Sequence, residues 1–236
     1  MSNTTDLLTQ IQRDYQKYSE KYQQRIIICA GTGCVANGAL KIYDKLKTEI
    51  EKHEINVDLK LRLEETKELP VDQDNILISK SGCQGFCQVG PLLEIQPSGY
   101  LYVKVTEDDV EEIVEKTILN DEIIDRLLYT DPKTGTKSTT RSDNPFYSQQ
   151  TRTVLKKCGS IDAESLEEYI AIDGYKAAKK AYLEMESADI CKEIEESGIR
   201  GRGGGGFPTG FKWKMALKEN SDKKYVICNG DEGDPG

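Results

Sequence analysis

Histidine occurs once in 236 residues, tryptophan once and methionine three times. The one histidine, His53, lies between Lys52 and Glu54 late in a predicted helix, a setting for a solvated side chain. Nucleophile–histidine pairs and multi-histidine metal sites are thereby excluded. Paired carboxylates suited to acid–base work are missing too: Glu64, Glu65 and Glu68 read as a solvated run, so no catalytic side chain is assigned. Positive charge is short, 32 Lys and Arg against 41 Asp and Glu, and a net charge of −9 argues against a nucleic-acid partner. No apolar stretch approaches the ~20 residues of a membrane-spanning helix. Residues 1–6 lack the basic-then-apolar pattern of a secretory leader, so a cytoplasmic location is expected.

Cysteine is present in an uneven number, seven. In a reducing compartment these are poor disulfide candidates, and the count fits one four-cysteine site plus three free thiols, Cys158, Cys191 and Cys228. Charge divides unevenly along the chain, residues 1–128 carrying −8 of the total, which supports two separate units. Leu8, Ile11, Tyr15, Tyr18 and Tyr22 step by three and four, the face of an N-terminal helix. The β-branched run Ile26-Ile27-Ile28 predicts a buried strand ending at Cys29, followed by a loop over 30–38 and a helix through Ala39, Tyr43, Leu46 and Ile50. Strands are predicted at 57–63 and 75–79, a hairpin at 92–105, and a helix capped by Thr106 with Asp109. Residues 129–144 are polar, carry Pro and Gly and lack apolar periodicity, the composition of a linker. Beyond it, Asp162 is the expected cap of a helix holding Leu166, Tyr169 and Ile170. Further helices follow around 177–194 and 211–218, then a strand at 225–228. The reading is therefore three segments: a domain over 1–128, a linker over 129–144 and a second domain over 145–236.

Cys29-x₄-Cys34 and Cys83-x₃-Cys87 each follow a predicted strand, and a fold that sets those two loops side by side makes one four-thiolate site. Four thiolates suit an iron-sulfur cluster or zinc, and the spacing alone leaves both open. Gly31, Gly33, Gly82 and Gly85 give backbone N–H groups room near the sulfurs, as bridging sulfides require, while Phe86 and Val89 limit water. This pattern resembles the thioredoxin-like [2Fe-2S] ferredoxin domain of an NADH-oxidising subunit of respiratory complex I and its hydrogenase relatives. The resemblance covers residues 25–118 and implies a [2Fe-2S] cluster on Cys29, Cys34, Cys83 and Cys87.

Residues 200–210, Arg-Gly-Arg-Gly-Gly-Gly-Gly-Phe-Pro-Thr-Gly, read either as a flexible linker or as a loop whose backbone cradles phosphate ahead of a helix. Arg200, Arg202 and Lys212 add charge, and Phe207, Phe211 and Trp213 offer flat faces for stacking. The segment resembles the FMN- and NADH-binding loop of complex I's flavoprotein subunit, and residues 226–236 resemble that family's second flavin segment. The resemblance implies FMN and NAD(P)H contacts for Gly201, Arg202, Gly203, Gly204, Gly206, Phe207, Lys212, Asn229, Asp231, Glu232 and Asp234. Glycine at 205 and 230 and Asp at 234 depart from respiratory members and resemble the β subunit of NAD(P)-linked or electron-bifurcating [FeFe] hydrogenases; a formate dehydrogenase subunit is a further relative. The expected protein is α/β: a thioredoxin-like ferredoxin domain followed by an incomplete α/β FMN/NADH-binding domain with a helical lead-in, shortened at its C-terminal side. Its expected partners are other iron-sulfur, hydrogenase or dehydrogenase subunits. The alternative is a non-catalytic [2Fe-2S] carrier or subunit-interaction module, and a third reading is a structural zinc protein.

Overall fold

The structure, a computed structural model, describes residues 2–58, 75–202 and 204–227, with side chains from residue 7 onward. Two compact units divide the chain, with the break between Ile172 and Asp173.

The first unit is built on a five-stranded mixed sheet. Helix α1 (Ser2–Ser19) leads into β1 (Gln24–Cys29), then the short α2 (Thr32–Ala36), α3 (Ala39–Glu51) and β2 (Asn56–Asp58). After β3 (Asn75–Ser81), β4 (Leu93–Gln96) and β5 (Tyr100–Tyr102) form the hairpin. The order is β2-β3-β1-β4-β5, with β1 and β2 parallel to β3, and with β4 antiparallel to both β1 and β5. Ile26, Ile27 and Ile28 are wholly buried because β1 is central and covered on both faces, which explains an unbroken apolar run where an edge strand would alternate. Ala39, Ile42, Tyr43, Leu46 and Ile50 pack α3 into the same core. Thr106 and Asp109 form the expected capping box, and the helix α4 (Val110–Glu112) that follows widens into a π-turn over Ile113–Ile118.

Three expectations need correction. Residues 129–144 are not a linker. They form the hairpin β6 (Tyr129–Thr130) and β7 (Lys137–Ser138), and Leu101 N–H donates to the Thr139 carbonyl at 2.8 Å along the edge of β5. The polar composition is turn chemistry: Asp143 accepts four bonds, from the backbone N–H and hydroxyl groups of Thr139 and Thr140. Next, the loop expected over 30–38 contains α2, so Cys34 stands on a helical turn. Last, Ser165 rather than Asp162 caps α6 (Leu166–Ala171), accepting from the Glu168 N–H at 3.1 Å. Of the strand expected at 57–63, residues 57–58 lie in β2 and the rest outside the described residues.

The unit therefore runs well past 128, and one buried ion pair explains why. Arg25, on β1, donates both Nη groups to the Glu168 carboxylate of α6 at 2.6 and 3.0 Å, and its Nε to Ser79 Oγ at 2.7 Å. Glu168 also accepts the Asp162 N–H at 2.9 Å. On α1, burial first and the Glu168 charge second hold the Tyr15 phenol well above its usual range, and Gln12 donates to the Ile170 carbonyl at 3.0 Å. Central strand, first helix and α6 are thus tied at one point.

The second unit, in its described part, is helical: α7 (Lys176–Glu184), α8 (Ser187–Glu196) and α9 (Thr209–Lys218). Cys191 is buried on α8. The strand expected at 225–228 is absent from its described part, where Tyr225, Val226 and Ile227 are irregular and largely exposed. Cys228 lies outside the described residues.

Removing one partner of a buried pair strands the other charge, at a cost of about 3–5 kcal/mol. Glu168→Ala is therefore expected to destabilise the first unit by that amount in denaturant unfolding, whereas Glu164→Ala, whose ion pair with Lys80 is exposed on the acid's side, should change little.

Candidate cluster site and glycine loop

The register of the central strands places the two cysteine loops. Cys29 pairs with Ser81 across the parallel β1–β3 ladder, so the chain leaves both strands at the same end of the sheet, and Ala30 N–H donates to the Ser81 carbonyl at 3.0 Å. From there one loop carries Cys34 and the other carries Cys83 and Cys87. The two loops meet there, Gly31 against Cys83, Gly33 against Cys87 and Gly90 against Cys34, while among the described residues no three potential ligand side chains close on one point. Cys29 and Cys34 are buried, and Cys83 and Cys87 are half-exposed.

Glycine sets how near the loops come. A β-carbon on residue 31 would lie 2.9 Å from Cys83 Cβ and 3.0 Å from its Cα; one on residue 90 would lie 2.5 Å from Cys34 Sγ. Gly33 makes only ordinary contact with Cys87, and Gly82 contributes its carbonyl, 3.9 Å from Cys29 Sγ. Gly85, at φ +87°, donates its N–H to Cys83 Sγ at 3.3 Å. Cys83 and Cys87 sulfurs stand 3.8 Å apart. That matches the edge of a tetrahedron with metal–thiolate bonds of ~2.3 Å.

The thiols also pair electrostatically. A hydrogen bond from Cys34 brings the Cys29 thiol down to about 6, against the pull of burial and with help from the Gly31 and Gln84 N–H groups and the Arg141 charge. The same bond, then burial, hold Cys34 up; burial holds Cys83 up. Backbone donors and a nearby cation are what a thiolate-held cluster needs. The residues present therefore fit a [2Fe-2S] group.

Phe86, at 7% exposure, shields this end of the sheet, stacking on Phe146 at 4.1 Å and meeting Tyr129 and Tyr147 at a tilt and edge-on. Gly90, Arg141 and the Phe146-Tyr147 pair were not marked by the cysteine spacing. The Gly90-Pro91 dipeptide just after Cys87 was the available signal for the first.

In the second unit, the glycine loop is closed at its base. Gly201 N–H donates to the Phe207 carbonyl at 2.9 Å and Thr209 N–H to the Ile199 carbonyl at 3.1 Å, while Arg200 Nε binds the Gly206 carbonyl. Gly204 and Gly206 sit at φ +96° and +56°, the region glycine enters without strain. Gly204 is exposed, as are Arg202, Phe207 and Lys212. Gly210 presses on α8, where a β-carbon would lie 2.4 Å from Glu195 Cα. An open, glycine-shaped loop flanked by cations and a helix start fits a phosphate-bearing cofactor such as FMN. Gly203, Asn229, Asp231, Glu232 and Asp234 lie outside the described residues.

Overpacking costs about 1–3 kcal/mol where backbone has to yield. Gly31→Ala is expected to lose stability by that amount in denaturant unfolding, and Gly33→Ala, with its contacts at 3.5 Å and beyond, to stay near the parent.

Comparison with known proteins gives two family matches. Residues 8–118 match the family described as thioredoxin-like [2Fe-2S] ferredoxin, and residues 194–236 match the Nuo51 FMN-binding domain. Among curated proteins, the NADP-reducing hydrogenase subunit HndC of Solidesulfovibrio fructosivorans is 49% identical over 87 residues, 37% of this chain and 18% of that protein. An NADH-quinone oxidoreductase subunit of Aquifex aeolicus (strain VF5) is 45% identical over 83 residues, 35% of this chain and 19% of that protein. The chain thus covers about a fifth of the length of these relatives. A solved thioredoxin-like [2Fe-2S] ferredoxin from Aquifex aeolicus aligns with TM-score 0.35 at 20% identity, over 48% of this chain and 96% of that one; the family matches, rather than this superposition, carry the assignment. The chain therefore carries two matched segments, residues 8–118 similar to the thioredoxin-like [2Fe-2S] ferredoxins and residues 194–236 similar to the Nuo51 FMN-binding domain.

Proposed function

We propose that this chain is the iron-sulfur and flavin-loop part of an electron-transfer flavoprotein subunit, with a [2Fe-2S] cluster on Cys29, Cys34, Cys83 and Cys87. The observation that carries the reading is the interlocking of the two cysteine loops through Gly31 and Gly90. The thiols approach as pairs, and among the described residues no three potential ligand side chains close on one point. Four thiolates at the ends of two adjacent strands suit an iron-sulfur cluster or zinc, and the match of residues 8–118 to the thioredoxin-like [2Fe-2S] family favours the cluster.

The cluster would supply one-electron transfer when bound. The chain's own residues do the rest. Gly31, Gln84 and Gly85 direct N–H groups at the sulfurs, and Phe86, Val89 and Phe146 keep water from the buried pair. In the second unit, Gly201, Arg202, Gly203, Gly204, Gly206 and Lys212 would bind FMN, Phe207 would stack on the nicotinamide nucleotide, and Asn229, Asp231, Glu232 and Asp234 would line the flavin. No side chain is required as nucleophile or general base. Two relatives are named as a hydrogenase subunit and a quinone oxidoreductase subunit, which supports an NAD(P)H-linked oxidoreductase with other iron-sulfur subunits as partners. No helix among the described residues is long and apolar enough to cross a membrane, and a cytoplasmic setting suits the four reduced thiols.

Purified without oxygen, the chain is expected to show broad visible absorbance bleached by dithionite, with two irons and two sulfides per chain that Cys83→Ser loses. Flavin bands in the same spectrum would support the second site. A colourless protein holding stoichiometric zinc overturns the electron-transfer reading.

A further inference from the structure

Residues 141–159 lie outside the segment that matches the ferredoxin family, yet they pack on its second cysteine loop. Asn144, wholly buried, caps α5 (Pro145–Ser148) by accepting the Phe146 N–H at 3.0 Å, and so aims Phe146 flat onto Phe86, with 6° between the rings. Gly159, at φ +83°, sits so close to Gln84 that a β-carbon there would lie 2.7 Å from Gln84 Cγ. This packing delivers two arginines to the loop, and their charges differ in what surrounds them. Arg141 is matched by Glu94 at 2.5 Å. Arg152 is not: its Nη1 reaches the Cys158 carbonyl at 3.5 Å, and it has no carboxylate partner among the described residues. Its Nη2 lies 3.6 Å from where a β-carbon on Gly85 would stand, and Gly85 is the residue whose N–H is bound to Cys83 Sγ.

We propose that Arg152 sets the reduction potential of the cluster that Cys29, Cys34, Cys83 and Cys87 would hold, as a charge placed beside Gly85 of the Cys83 loop. The inference rests on the cluster assignment above. An added electron makes a thiolate-held cluster more negative, so an uncompensated cation at the half-buried Cys83 side lowers the energy of the reduced form relative to the oxidised one. Hydrogen bonds and charges around the sulfurs are among the levers that spread such potentials. Glycine at 85 is required by its φ of +87°, and the guanidinium lies in ordinary contact beside it.

The test is a mediated redox titration of the full chain, followed by visible absorbance, with iron and sulfide measured in each variant. Arg152→Lys is expected to stay at the parent potential, Arg152→Gln to shift lower, and Arg152→Glu lower again, with iron and sulfide unchanged. Lys47→Gln, which removes a cation from the far part of α3, should match the parent. Arg152 is partly exposed and makes one long hydrogen bond, so these variants keep the fold. An unmoved potential in Arg152→Gln, or a drop in Arg152→Lys equal to it, overturns the proposal and leaves the cluster assignment standing. A parent chain that takes up no iron and sulfide overturns the assignment and this proposal together.

Discussion

The close approach of two loops, with no room for a side chain at residue 31 beside Cys83 or at residue 90 beside the Cys34 thiol, is the constraint on which the site depends. Everything upstream serves to produce it. The unbroken isoleucine run makes β1 central, its parallel pairing with β3 sets Cys29 opposite Ser81, and the loops that follow emerge together. Glycine then lets them close to the distance that cysteine sulfurs need. Backbone N–H groups then reach the sulfurs, Gly85 toward Cys83 and Gly31 toward Cys29 within their own loops and Gln84 toward Cys29 across them.

A second constraint extends the unit beyond the sheet. Arg25 reaches from β1 to Glu168, and burying such a pair is tolerable only because Ser79 and the Asp162 N–H take up the remaining hydrogen-bonding capacity. The pair is better understood as a lock on position than as a source of net stability. It holds residues 145–172 against the central sheet of the first unit, and with them the aromatic shield of Phe146 and Tyr147 over Phe86.

Much of this was legible in the sequence. Cysteine spacing, the isoleucine strand, the α3 periodicity and the Thr106–Asp109 box depend on neighbours a few residues apart, and each emerged where expected. What was not legible depends on distant partners. The stretch 129–144 has the composition of a linker because its Thr, Ser and Asp side chains bond their own backbone, and only the edge of β5 reveals the hairpin. Asp162 and Ser165 are both plausible caps by residue type; the choice fell to Ser165 because the Asp162 N–H is engaged by Glu168 and its carboxylate by the Glu164 N–H. In the second unit, the glycine loop was legible as a loop, whereas the pressing of Gly210 on Glu195 depends on a helix crossing that no local pattern encodes.

The lock between Arg25 and Glu168 also fixes where this chain can be divided without exposing a buried charge. Composition places the seam between modules in the polar stretch after residue 128, but a recombination there would part the central strand from the carboxylate that neutralises it. In this chain the compact unit runs on through Ile172, so a cut after residue 128 would leave a buried guanidinium without its counter-charge.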